Sequence, residues 1–158
     1  MQKDEEELSF EDIAKKLESA IGSGTLDSLA NGKVNEITKD DYMEVLRKPR
    51  TALVEFYTPT CPYCKQLLPI LEELAEEYRS KIFFAKINIR EIDDVAHQFD
   101  VAGVPLLIAF KKGSPVARLE GLRNYKELDD WIDSIQKGLK PMGIDPGPTT
   151  TYDFKLDL

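Results

Sequence analysis

Cysteine and histidine are scarce in this chain. Its 158 residues include two cysteines, Cys61 and Cys64, and a single histidine, His97. A tetrahedral zinc site closed within one chain is therefore not expected, although a site that bridges two chains stays open. Cysteines three positions apart also cannot cross-link a large fold, so any pairing between them must matter locally or chemically.

Excess positive charge and long apolar runs are missing as well. Lysine and arginine number 21 against 29 aspartates and glutamates, which gives a formal net charge of −8. This acidic balance argues against binding to nucleic acid and to anionic membrane surfaces, which both need clustered cations. No apolar stretch approaches the roughly 20 residues that a membrane-spanning helix requires. We therefore expect no nucleic-acid partner and no membrane partner.

A secretory signal is also absent from the start of the sequence. The first residues read Met-Gln-Lys-Asp-Glu-Glu-Glu, with no apolar stretch behind a basic segment. The acidic run argues equally against a transit peptide. These features predict a cytoplasmic location.

What is present suits one globular domain with an extension at each end. Hydrophobic residues make up 42% of the chain and charged residues 32%, an ordinary balance for a packed protein. Residues 1–31 are predicted to form an N-terminal extension, an acidic tail followed by an amphipathic helix over 9–22. Residues 32–140 would form the compact domain. Residues 141–158, with three prolines and a threonine run, are predicted to be an extended or mobile tail.

The periodicity of the central region predicts an α/β fold. Residues 52–57 and 82–89 are nearly continuous apolar runs, typical of strands covered on both faces, and each contains one charged residue, Glu55 and Lys86. Asn124 with Glu127 forms the capping-box pattern of a helix start. The predicted order β-α-β-α-β-α-β-β-α calls for a central mixed sheet with helices on both faces.

The two cysteines form a Cys-Pro-Tyr-Cys motif at a strand-to-helix junction. Pro62 suits the first helical position, which places Cys61 at about the N-cap. The helix dipole stabilises a thiolate there and lowers its pKa. We expect Cys61 to be an exposed nucleophile that attacks a disulfide, and Cys64, one turn inside and more shielded, to resolve the mixed disulfide. The alternative is a pair of inert core cysteines.

Several motifs together resemble the thioredoxin superfamily. The resemblance runs from about residue 34 to residue 135 in one unbroken order. The matching stretches are Val-Glu-Phe-Tyr-Thr-Pro-Thr-Cys-Pro-Tyr-Cys-Lys at 54–65, Pro69, Ala-Lys-Ile-Asn at 85–88, Gly-Val-Pro at 103–105, Gly113 and Gly121.

This resemblance implies the thioredoxin fold and a thiol–disulfide oxidoreductase. The Cys61–Cys64 pair would exchange with disulfides of protein substrates, as a reductant, without any bound cofactor. A reductase resembling thioredoxin reductase would supply the electrons, and we expect a monomer.

The resemblance also assigns roles around the cysteines. Pro105 matches the cis-proline of the family, beside which the backbone of Val104 would pair with a substrate peptide as a short added strand. Gly103 would give that peptide room. Pro69 matches the residue that kinks the active-site helix.

Glu55 occupies the position of a buried acid in the family, more often Asp in thioredoxins and Glu in protein disulfide isomerases. Burial in an apolar strand would raise its pKa and let it exchange protons near neutral pH. We predict that Glu55 accepts the proton of Cys64 during resolution. The alternative is a structural ion pair with Lys86 on the neighbouring strand, and the two are compatible because the family keeps a lysine there.

The motif departs from thioredoxins in ways that leave other functions open. Thr60 stands in place of tryptophan, and Pro62-Tyr63 in place of Gly-Pro. Cys-Pro-Tyr-Cys resembles glutaredoxins, so a glutathione-linked reductase is one alternative, and the redox direction stays open. Pro62 and Tyr63 are candidate substrate contacts, with Tyr63 otherwise a solvated aromatic. A non-catalytic binding module and an iron–sulfur carrier, with a cluster shared by two chains through Cys61, are further alternatives.

Overall fold

The computed structural model describes residues 27–139 and 146–151. The predicted helix over 9–22 lies outside these residues. The strands of the described chain are β1 (Val34–Ile37), β2 (Thr51–Tyr57), β3 (Phe83–Asn88), β4 (Gly103–Val104), β5 (Leu106–Lys111), β6 (Ser114–Glu120) and β7 (Thr150–Thr151). Its helices are α1 (Tyr42–Arg47), α2 (Pro62–Glu77), α3 (Val95–Gln98) and α4 (Tyr125–Gln136).

The central sheet has five strands in the order β1-β3-β2-β5-β6. Strands β1, β3 and β2 are parallel, while β5 runs antiparallel to β2 and β6 antiparallel to β5. The predicted mixed sheet is therefore confirmed. A second, two-stranded sheet pairs β4 with β7 in antiparallel orientation. This small sheet is absent from the sequence prediction.

The sheet divides the apolar core into two layers. Alternation along β2 sends Leu53 to the layer that contains α2 and α4, and Val54 and Phe56 to the layer that contains α1 and α3. The residue between them, Glu55, thereby faces the α2 side. Lys86 shares this side, because it follows Phe84 by two positions along β3. The fold thus brings the two predicted charged groups beneath the helix that begins at the cysteine motif.

Local signals explain where the longer helices begin. The side chain of Asn124 accepts a hydrogen bond from the backbone N–H of Glu127 at 2.8 Å, and the Glu127 carboxylate accepts one from the backbone N–H of Asn124 at 3.2 Å. The predicted capping box of α4 is therefore confirmed. Helix α1 begins at Tyr42, after a bend and a turn within residues 38–41. In the described parts of the chain, no helix is long and apolar enough to cross a membrane.

Candidate active site

A disulfide between Cys61 and Cys64 caps the N-terminus of α2. Cys61 occupies the N-cap in extended conformation, and Pro62 follows at the start of the helix. Proline is favoured there because its fixed φ suits the first turn and its missing N–H would have been unpaired. The Cα atoms of the two cysteines are 5.2 Å apart. The structure therefore shows the oxidised form of the pair.

The helix N-terminus stabilises negative charge on the sulfur of Cys61. The backbone N–H of Cys64 donates to Cys61 Sγ at 3.1 Å. A thiolate at this position would accept the same hydrogen bond and lie at the positive end of the helix dipole. Both interactions favour a negatively charged sulfur over a neutral thiol at this position.

The expectation that Cys61 is the exposed sulfur and Cys64 the more shielded one is wrong for this form. Cys61 has 0% of its surface exposed, and Cys64 has 4%. The cover comes in part from β4, since the carbonyl oxygen of Val104 lies 3.7 Å from Cys61 Sγ. A substrate sulfur can reach Cys61 only if part of this cover moves.

The other residues that are predicted to contact the substrate differ in how deeply they are buried. The Val104–Pro105 peptide bond is cis, and both residues are buried beside Cys61. Gly103 is half-buried. Pro62 is exposed, whereas Tyr63 is half-buried against the core layer that contains both cysteines.

Pro69 lies inside α2 at an exposed position, about one and a half turns beyond Cys64. None of the described contacts joins Pro69 to the sulfur atoms of Cys61 or Cys64. Its assignment as the residue that kinks this helix stays a prediction from the resemblance.

Glu55 is a buried carboxyl group in the middle of β2. Glu55 is 2% exposed, and its Oε2 atom has no hydrogen-bond partner among the described residues. Burial raises the pKa of this carboxyl group to about 8, since desolvation disfavours the charged form. The charge of Lys86 opposes the rise in pKa, and that of Glu36 adds to it.

Lys86 forms its ion pair with Glu36 and none with Glu55. Its Nζ atom lies 3.7 Å from Glu36 Oε1 and 5.2 Å from the centroid of the Tyr57 ring. The Tyr57 hydroxyl donates to the same carboxylate at 2.7 Å. Glu55 and Glu36 are both register partners of Lys86, on opposite sides of β3. Lys86 therefore influences Glu55 through its charge alone.

Sequence reasoning missed Glu36. Glu36 can be recognised as the partner of Lys86 only when the pairing of β1 with β3 is known. The two strands are far apart in the chain, and their register decides which side chain lies opposite Lys86. The alternation of a four-residue strand does not supply that register.

A pocket of about 190 Å³ joins the buried acid to the disulfide. Its lining includes Glu55, Cys64 and Lys86. A pocket of this size has room for water, and it places the Glu55 carboxyl group and Cys64 on the walls of one cavity. The remaining lining residues are Tyr57, Thr58, Pro59, Lys65 and Leu68.

Within residues 27–139 and 146–151, no three His, Cys, Asp or Glu side chains are grouped so that they could hold a metal ion.

Comparison with known proteins identifies the family of this site. The sequence model of the thioredoxin family matches residues 33–134, which include the disulfide, the buried acid and the cis-proline. The chain belongs to the thioredoxin family. It is accordingly a thiol–disulfide oxidoreductase whose redox-active group is the Cys61–Cys64 pair.

Two thioredoxins are similar to this chain over most of their own length, and a longer bifunctional protein is similar to it over a part of its length. A thioredoxin of Acidithiobacillus ferridurans is 37% identical over 97 residues, covering 60% of this chain and 90% of that protein. A thioredoxin of Alicyclobacillus acidocaldarius subsp. acidocaldarius is 32% identical over 99 residues, covering 63% of this chain and 94% of that protein. The bifunctional thioredoxin reductase/thioredoxin of Mycobacterium leprae (strain TN) is 33% identical over 109 residues, 66% of this chain and 24% of that protein.

A solved structure shows the same fold. It comes from work on the thiol resolving mechanism in yeast mitochondrial 1-Cys peroxiredoxin via glutathione/thioredoxin systems. The similarity has a TM-score of 0.58 at 22% identity and covers 64% of this chain and 94% of that chain. Both N- and C-terminal extensions of the present chain lie outside the family match, and the predicted domain boundaries at 32 and 140 stay predictions.

Proposed function

We propose that this thioredoxin-family chain reduces disulfide bonds of protein substrates with electrons held by the Cys61–Cys64 pair. The observation that carries the proposal is the position of the Cys61 sulfur at the N-terminus of α2, where the Cys64 N–H donates to it at 3.1 Å. A reductant needs a ready thiolate and a second thiol nearby, and this arrangement supplies both.

The proposed reaction has two exchange steps. The Cys61 thiolate attacks one sulfur of a substrate disulfide, and the other substrate sulfur leaves as a thiolate. Cys64 then attacks the Cys61 sulfur of the mixed disulfide and releases the second substrate thiolate. The substrate disulfide gains two electrons and the chain ends as the Cys61–Cys64 disulfide, so the electrons balance without a bound cofactor.

Glu55 is proposed to accept the proton of the Cys64 thiol before the second attack. Support comes from the pocket that both residues line and from the pKa of about 8, which lets the carboxyl group take up and give back protons near neutral pH. Lys86 is proposed to keep part of the Glu55 population charged, since its cation opposes the effect of burial.

The substrate is proposed to bind as an extended segment. The backbone edge of Gly103 and Val104 lies beside the disulfide and would pair with such a segment, as strand addition does in other peptide-binding sites. Pro62 and Tyr63 would contact the substrate from the helix side. A reductase is the proposed electron donor, supported by the fused reductase in the Mycobacterium leprae relative's name.

Substitution of each cysteine by serine tests the two roles. Insulin would serve as substrate, with NADPH and thioredoxin reductase as electron donor in one arm and glutathione in another. We expect Cys61→Ser to abolish reduction and to form no adduct. Cys64→Ser should accumulate a mixed disulfide through Cys61, because the resolving thiol is gone. Non-reducing gel electrophoresis and mass spectrometry would measure the adduct.

Three outcomes would contradict the proposal. Equal adduct formation by both variants would remove the distinction between attacking and resolving sulfur. Reduction that glutathione supports and the reductase does not would favour the glutaredoxin-like alternative. Insulin reduction that persists in Cys61→Ser would show that the motif is not the redox centre.

A further inference from the structure

The C-terminal segment 146–151 lies on the backbone edge that the proposed function gives to the substrate. Strand β7 pairs antiparallel with β4, so that Thr150 stands opposite Val104 and Thr151 opposite Gly103. Val104 is the residue whose carbonyl oxygen contacts Cys61 Sγ. The chain's own C-terminal segment therefore occupies the edge beside the disulfide.

A second set of hydrogen bonds joins the same segment to the last residue of β6 and to the chain that follows it. The backbone N–H of Gly147 donates to the carbonyl oxygen of Glu120 at 2.9 Å, and the N–H of Leu122 donates to the carbonyl oxygen of Pro148 at 2.9 Å. The segment thus spans two neighbouring stretches of backbone. Its position does not depend on the two residues of β7 alone.

Glycines make this close approach possible. A Cβ atom on Gly103 would lie 3.2 Å from Oγ1 of Thr149, and one on Gly121 would overlap the backbone of Gly147. A Cβ on Gly147 would overlap the carbonyl oxygen of Leu122. Gly121 also has a φ of +91°, which favours glycine. The room expected at Gly103 for a substrate backbone is filled by the segment.

We propose that segment 146–151 is an internal occupant of the substrate edge, which an extended protein substrate must displace before Cys61 can attack its disulfide. The proposal rests on the proposed function, because that function assigns the Gly103–Val104 edge to the substrate. Cys61 has no exposed surface in this state. The segment contains no cysteine, so it fills the edge without reacting.

The strength of this occupant suits displacement. A pairing of two residues is weak by itself, but attachment to the same chain gives the segment an effective concentration of the order of millimolar. Pro146 and Pro148 restrict the unbound segment to extended conformations and so reduce the entropy lost when it docks. The occupant should raise the KM for protein substrates without abolishing turnover.

Gly147→Ala is the variant that releases the segment in the full-length chain. The new Cβ would overlap the Leu122 carbonyl oxygen, and backbone strain is not added because Gly147 does not have a positive φ. The change lies outside the core and outside the redox motif. Thr149→Ser is the matched control, since it alters an exposed residue of the same segment and keeps the hydroxyl that faces Gly103.

Amide hydrogen exchange reports docking directly. The Leu122 N–H, which donates to Pro148, should be protected in the wild type and in Thr149→Ser and should exchange faster in Gly147→Ala. The Gly121 N–H donates to the Pro105 carbonyl oxygen at 2.9 Å and is the internal reference that should stay protected in all three. In the reduced protein, alkylation of Cys61 by iodoacetamide should be about three- to tenfold faster in Gly147→Ala, as the loss of one net backbone hydrogen bond would give.

Substrate kinetics and a peptide complete the test. The KM for insulin should fall in Gly147→Ala by a similar factor, and a synthetic peptide of residues 146–158 should restore it competitively. An unprotected Leu122 amide in the wild type would overturn the proposal. So would faster Leu122 exchange in Gly147→Ala with unchanged Cys61 alkylation. Exchange and alkylation need no substrate, so they report on the segment even if insulin is not reduced and the proposed function fails.

Discussion

A carboxyl group enclosed by apolar side chains is most stable without charge, and Glu55 is in that position. Its neighbours in β2 are fully buried, and its Oε2 has no hydrogen-bond partner. Lys86 lies close enough for its charge to act on Glu55, yet its ion pair is with Glu36. Desolvation therefore outweighs the nearby cation and holds the pKa at about 8.

This raised pKa makes stability depend on pH. Between the ordinary value of 4.5 and the folded value of about 8, the folded chain holds a proton on Glu55 that the unfolded chain has lost. The contribution is fully present below pH 4.5 and is lost as pH rises through about 8. In Glu55→Gln we expect the free energy of unfolding to lose this slope and to exceed that of the wild type at pH 9 by a few kcal/mol. Guanidinium denaturation of the oxidised proteins at pH 5 and pH 9 measures it.

The same variant tests the proton relay. In single-turnover experiments on the mixed disulfide, the wild-type resolution rate should rise with pH through about 8, and Glu55→Gln should be slower at pH 8 by about ten- to a hundredfold. Glu72→Gln, an exposed carboxyl on α2, is the control and should match the wild type in both measurements. Identical resolution rates for Glu55→Gln and wild type across this range would remove the relay, whatever the stability curves show.

The sequence identified Glu55 because a charge inside an apolar run is conspicuous, and it identified the cysteines because of their spacing. The carboxylate that forms the ion pair with Lys86 could not be predicted, because it depends on the parallel register of β1 against β3. The predicted exposure of Cys61 was also wrong. Exposure is set by what packs on a residue from distant parts of the chain, here Val104 of strand β4.

Among the helices and strands, the ones that the sequence predicts well are those whose first residues mark where the element begins. The start of α2 is marked by Pro62 and the start of α4 by Asn124 and Glu127, and both helices begin where these residues indicate. Strands β4 and β7 have two residues each and therefore no measurable alternation. The threonine run of β7 favours extended structure, but its partner strand is set by tertiary contacts alone.

The capping box of α4 gives an element-scale prediction. Asn124→Ala removes the acceptor for the Glu127 N–H, which lies 2.8 Å away, and should lower the free energy of unfolding by about 1 kcal/mol. Asn124→Ser keeps an N-cap acceptor and should recover most of that loss. Lys126→Ala, which removes an exposed ion pair with Asp130 in the same helix, should change the unfolding midpoint far less. Equal losses in Asn124→Ala and Lys126→Ala would contradict the assigned role of the cap.

At the scale of the whole molecule, the disulfide has two separately built sides. The pocket with Glu55 and Cys64 is lined by residues of β2, β3, α2 and the turn between β2 and α2. The substrate edge is the backbone of β4, and the C-terminal segment that occupies this edge is also bonded to Glu120 at the end of β6 and to Leu122. Among the described residues, none both lines the pocket and takes part in the pairing at the substrate edge. The first side would serve proton transfer after the mixed disulfide forms, and the second would govern its formation.

This separation predicts independent effects in a double variant. Gly147→Ala should lower the KM for insulin, and Glu55→Gln should slow resolution, each by the same factor with or without the other change, to within about twofold. Steady-state KM values and single-turnover resolution rates for wild type, both single variants and the double variant measure this. A coupling much larger than twofold would mean that release of the C-terminal segment alters the surroundings of Cys64 and Glu55. The substrate edge and the proton pocket would then change state together, because displacement of the segment would reach the buried acid through the cysteine motif between them.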